Sequence, residues 1–181
     1  MIINVCLIVV IIITGIILAS YNHFVRTNNR VNQSASAIDV LLNQRFDLLP
    51  NLIECVKGYS KHESETLEEL AKLRSSYNKD GFSINETEKL DKKFGNIMAI
   101  AESYPDLKAN QNFLDLQSNL KEIENKLNNA RMDYNNAVTS YNNLVETIPS
   151  NIVAKMFNFE RKELFKLDDN KRENIKVDFS Q

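Results

Sequence analysis

The stretch MIINVCLIVVIIITGIILAS, residues 1–20, contains no charged side chain. Roughly 18 apolar residues rising 1.5 Å each nearly cross a hydrocarbon core of about 30 Å, so the stretch reads as a membrane-spanning helix. A cleaved signal peptide is the alternative, but it wants Lys or Arg ahead of the apolar run, and none precedes it here. The expectation is an uncleaved anchor over residues 1–21, with membrane lipid as the first partner. His23, Arg26 and Arg30 follow the run directly. The positive-inside rule therefore puts the bulk of the chain in the cytoplasm and only the first few residues outside. An extracytoplasmic domain of the same fold, released from or held by its leader, is the competing arrangement.

Beyond the anchor the chain has few means of turning. Four Gly and three Pro in 181 residues, with 43% hydrophobic content, favour one all-α domain with few loops. Apolar residues recur at helical spacing through Val31, Ala35, Ile38, Leu42, Phe46, Leu49, Ile53 and Val56. Pro50 falls inside this stripe without disturbing its phase, which predicts a kink rather than a break. Gly58 is a better stop, and Ser60 with Glu63 has capping-box spacing, so a second helix is expected over 61–77. Residues 78–85, NKDGFSIN, read as a loop. A third helix with the face Leu90, Phe94, Ile97, Ala101 and Tyr104 must end before Pro105. The fourth carries the clearest pattern: Phe113, Leu116, Leu120, Ile123, Leu127, Ala130, Tyr134, Ala137, Tyr141, Leu144 and Ile148 alternate steps of three and four until Pro149.

The first and fourth of these helices each have roughly 35 to 42 residues, or ~55 to 63 Å, and the other two about half that. Short connections then favour an antiparallel up-and-down four-helix bundle over residues 22–159, followed by an extended or disordered tail over 160–181. In that topology GYSKHE (58–63) and YPDLKAN (104–110) meet at the end far from the bilayer, while IPSNIVAKMFNF (148–159) lies near it. The polar knot at the far end contains Tyr59, His62, Tyr104, Asp106, Lys108 and Asn110, the candidate partner-binding tip.

The runs RFDLLPNLIECVKGYSKHE, YPDLKANQNFLDLQSNLKEIENKLNNAR and IPSNIVAKMFNF, with the apolar start and a tail carrying KVDF, closely resemble the LemA family of bacterial proteins. The resemblance covers nearly the whole chain after the anchor. It implies an N-terminal anchor with a largely cytoplasmic helical bundle, supplies no activity, and makes a membrane peptidase or other envelope protein the partner to look for. One departure is Asn158, where family members often carry Gly between the two phenylalanines.

Residue inventory argues against the common functional classes. A net charge of −2 without Trp offers no basic field to nucleic acid. Cys6 and Cys55 have neither CxxC spacing nor partners for zinc. A di-iron bundle needs paired Glu-x-x-His motifs, but Tyr59 and Ser20 stand three residues before His62 and His23. HExxH, phosphate-loop and GxSxG patterns are absent from the sequence. No cofactor or metal is expected. Tyr134 and Tyr141 read as seam residues, the run Glu63, Glu65, Glu68 and Glu69 as a solvated surface, and Arg45 with Asp47 as solvated or cross-helix charges. At the tip, Glu63 caps and Asp106 suits the first turn of the fourth helix behind Pro105. The expectation is a non-enzymatic interaction or scaffolding protein, with an enzyme using the tip as the alternative.

Overall fold

The computed structural model describes residues 2–57, 72, 84–102 and 104–165. The expected helix over 61–77 apart from Lys72, its capping box, nearly all of the loop at 78–85 and the tail beyond 165 lie outside the described residues. Among the described residues the chain is all-helical: α1 (Ile2–Asp47), α2 (Leu49–Lys57), α3 (Ile84–Glu102), α4 (Pro105–Lys108), α5 (Gln111–Glu146) and α6 (Ser150–Met156).

The apolar N-terminal segment and the helix that follows it are one continuous element, α1, and no proline occurs before Pro50. The apolar end of α1 is long and apolar enough to cross a membrane. None of the residues of that apolar end is fully buried inside the protein. Burial begins at Phe24 and Thr27 and follows the expected stripe through Val31, Ile38, Leu42 and Phe46.

Pro50 acts as its chemistry requires. It has no N–H, so the helical ladder is interrupted, and the interruption is centred on Leu48, whose N–H turns to the Arg45 carbonyl at 3.3 Å. Leu52 N–H then restarts the ladder on Leu48 O at 3.0 Å. Leu49, Leu52 and Val56 are buried on the far side, so the stripe keeps its phase across the kink.

The long helices α1 and α5 run antiparallel, since Phe24 meets Tyr141 at one end and Arg45 meets Glu124 toward the other. Seam residues Phe113, Leu116, Leu120, Leu127, Tyr134, Ala137 and Tyr141 are buried. Ile148, the last expected seam position, is 82% exposed, because α5 ends at Glu146 and the chain turns at Thr147 before the cis Ile148-Pro149 bond. Leu90 and Phe94 of α3 join the same core.

At the foot of the fold, α6 closes with a Schellman-type turn: Phe159 N–H bonds the Ala154 carbonyl at 2.9 Å while Asn158 takes φ 55°. That left-handed geometry favours Gly and, after it, Asn. Asn158 therefore stands where a glycine would also be at ease.

Candidate functional site

The segment YPDLKAN is a separate element rather than the start of the long helix expected behind Pro105. Tyr104 has extended geometry (φ −117°, ψ 94°), Pro105 fills the first helical position, and α4 lasts one turn. Its bonds close locally: Lys108 N–H to Tyr104 O at 3.1 Å, Ala109 N–H to Pro105 O at 3.0 Å and Asn110 N–H to Leu107 O at 3.0 Å. The long helix begins only after Asn110, whose side-chain oxygen accepts from Asn112 N at 2.9 Å and Phe113 N at 3.3 Å. This is an N-cap of the kind asparagine serves best, and it corrects the assignment of the helix start to Pro105 and Asp106.

Of the expected tip residues, Tyr104, Asp106, Lys108 and Asn110 come together on this turn, while Tyr59 and His62 lie outside the described residues. Leu107, with no exposed surface, pins the turn to the core, and Tyr104 is half-buried against it. Asp106 and Lys108 point outward. Close to the α5 start, an open cleft of about 330 Å³ separates α2 from α5, lined by Asn51, Glu54, Cys55, Asn112, Asp115 and Asn119. Its walls offer amides and two carboxylates, which suit hydrogen bonding to a polar surface.

A second constellation, which the spacing of charges along the chain does not reveal, sits in mid-bundle. Asp91 of α3 bridges two guanidiniums, accepting from Arg45 Nη1 of α1 and from Arg131 Nη2 of α5, each at 2.7 Å. Glu124 of α5 lies 3.0 Å from Arg45 and 3.9 Å from Arg131, closing a ring of two cations and two anions. The Arg45 guanidinium also covers the Phe94 ring at 4.1 Å. Burial holds the Asp91 carboxyl above its ordinary range, and Arg131 and Arg45 pull it only part of the way back. Arg45 Nε and Arg131 Nε are buried without a hydrogen-bond partner, a standing cost that the ring's ion pairs must offset. A ring of two cations and two anions of this kind ties α1, α3 and α5 to one another. Of the charged pair expected at the kink, Arg45 is a buried cross-helix charge.

The third feature is the chain after α6, residues 160–165, which is extended and docked along α5. Asn142 and Asn135 each grip one residue's N–H and C=O together. Asn142 donates to Lys162 O and accepts from Lys162 N, both at 2.9 Å. Asn135 donates to Phe165 O at 3.1 Å and accepts from Phe165 N at 2.9 Å. The match is metric: one heptad of helix rises about 10.5 Å and three extended residues advance about 10 Å. Tyr134 adds a bond from its hydroxyl to Glu163 O at 3.3 Å, and burial pushes that hydroxyl's pKa up, keeping it a donor. Phe165 stands edge-on to Tyr134 at 5.4 Å and under Arg131 at 5.6 Å, so the strap also touches the charge ring. The seven-residue spacing of Asn135 and Asn142 is a signal readable in the sequence. Replacing both asparagines with alanine should free the strap locally. Trypsin should then cut at Arg161 or Lys162 at least about tenfold faster, the equivalent of losing 1.4 kcal/mol. An unchanged cleavage rate would show that the rungs do not hold it.

The LemA family model matches residues 34–179, most of the chain. No curated protein matches it.

Proposed function

Because the chain belongs to the LemA family, we propose that it is a non-enzymatic, membrane-anchored interaction module that holds a protein partner at its membrane-distal end. In this reading the bundle is up-and-down with four members: α1 with α2, the segment 61–77, α3, and α5. It stands in the cytoplasm, since His23, Arg26 and Arg30 follow the apolar segment. A membrane peptidase or another envelope protein is the first class of partner to seek.

The observation that carries the reading is the division of labour on α4. Leu107 and Asn110 meet the structural needs of the turn, by burial and by capping. Asp106 and Lys108 are exposed and enter no ion pair among the described residues. Two opposite charges held outward by a packed turn, beside a cleft of mixed polar and apolar lining, fit the rim of a docking surface.

Two substitutions separate docking from architecture. Asp106→Ala should cost at most about 1 kcal/mol, the size of a helix-start interaction. Lys108→Glu should leave the melting temperature within a degree or so yet abolish the cellular phenotype and the adduct formed by a photo-crosslinker placed at Asp106 in intact cells. A folded Lys108→Glu protein with full activity and an unchanged adduct removes this lysine from any docking surface. The compartment of the captured protein reports the side: a cytoplasmic domain supports the proposed orientation, and an extracytoplasmic one reverses it.

A further inference from the structure

The outward face of α6 carries Ile152 and Met156, 61% and 59% exposed, with Lys155 between them; Ile148 in the turn before the helix, 82% exposed, and Phe157 just after it, 45% exposed, extend the apolar surface. Ser150, Val153 and Ala154 form the buried face of the same helix. A helix on a water-facing surface normally carries polar residues outward. Elsewhere beyond Tyr21 the exposed large apolar side chains of the described residues, Val40, Leu114, Met132 and Leu164, stand apart in sequence, which is ordinary. The concentration at α6 is not.

Position selects what covers this face. Phe157 packs on Tyr21 with ring centroids 4.8 Å apart, and Phe159 stacks on Phe24 at 4.6 Å. Tyr21 directly follows the uncharged run 1–20. Ile17, one turn earlier, is partly buried against the core. The exposed face of α6 is therefore level with the last turn of the apolar segment, the depth at which aromatic side chains line a bilayer boundary. Lys155, exposed on the same helix, suits an anionic headgroup there.

We infer that α6 and the turn at 157–159 form a second membrane contact, an interfacial foot that seats Ile148, Ile152, Met156 and Phe157 in the leaflet next to the bundle. The inference rests on α1 crossing the bilayer. Its occupant is lipid, not a second copy or another protein. Two contact points instead of one restrict the tilt of the bundle and hold α4 at a set height, since α5 alone spans ~54 Å at 1.5 Å per residue.

The chain has no Trp, so a single introduced tryptophan reports depth without background. Full-length Met156→Trp, Ile11→Trp and Met132→Trp proteins, carrying the probe at the foot, in the anchor and on α5 respectively, are placed in phosphatidylcholine–phosphatidylglycerol vesicles brominated at a shallow or a deep acyl carbon. Circular dichroism melts confirm that each is folded as the parent. Emission from the foot probe should be blue-shifted and quenched most by shallow bromine, that from the anchor probe should be quenched most by deep bromine, and that from the α5 probe by neither. If the anchor probe is quenched while the foot probe behaves like the one on α5, the foot is overturned and the anchor stands. If the foot probe is blue-shifted but unquenched at either depth, protein covers the face and the inference fails. If the anchor probe also escapes quenching, the transmembrane reading fails first and the foot with it.

Discussion

Replacing Leu127 with aspartate should abolish the cooperative unfolding transition. Leu127 has no exposed surface and lies mid-seam on α5, between Leu120 and Tyr134. A carboxylate there can neither reach water nor find a partner without moving the helix. Burying an unpaired charge costs several kcal/mol or more, set against the roughly 5 to 15 kcal/mol that hold a domain together. Leu127→Ala, which leaves only a cavity, should cost about 2 to 5 kcal/mol and keep a shifted but cooperative melt. The pair therefore separates the effect of the charge from that of lost packing. A Leu127→Asp protein melting like the parent would mean that the seam faces solvent.

The second large effect should come from the charge ring. With Arg45→Met, one guanidinium faces two carboxylates, and the protein should lose about 2 to 4 kcal/mol, less than a fully buried pair would because the Asp91 and Glu124 side chains keep 29% and 32% of their exposure. Methionine keeps apolar contact with the Phe94 ring, so most of the loss reports charge. Adding Glu124→Gln restores neutrality and should return part of the stability. Urea midpoints for the two single variants, the double variant and the parent complete the cycle. A double variant no more stable than Arg45→Met alone would show that the ring is not held by mutual compensation.

How much of this was legible follows from the range of each signal. The seam of α5 was, because its residues repeat along a single helix and the local rise of 1.5 Å converts spacing directly into a face. The kink at Pro50 was legible too, because a missing N–H acts within one turn. The start of α5 lies six residues beyond the expected one. Proline and aspartate suit a first turn, and so they do in α4, but Asn110 offers a cap of its own and the chain takes both starts in succession. Ile148 fits the heptad spacing yet emerges exposed, since a periodic pattern does not register that the helix beneath it has ended. The tip was half legible: Tyr104, Asp106, Lys108 and Asn110 share one turn in sequence and in space, and Tyr59 and His62 lie outside the described residues.

Taken alone, the sequence determined the helical class, the uncharged N-terminal segment, the buried faces of α1 and α5, and the membership of the LemA family. Each depends on residues a few positions apart, or on composition. Only the tertiary structure decided which charges meet and where the chain after α6 lies. Arg45 and Asp91 are 46 residues apart, and Arg131 and Asp91 are 40 apart. A slip of one turn between the long helices would move Arg45 about 5.4 Å along the axis relative to Glu124 and break that contact. The register of α1 against α5 comes from the packing of many side chains at once. Asn135 and Asn142 carry amides that bond any peptide, and they hold residues 162 and 165 because the turn after α6 delivers an extended chain to their side of α5. Local spacing sets a helix and its face, but distances between helices arise only when the faces close on one another.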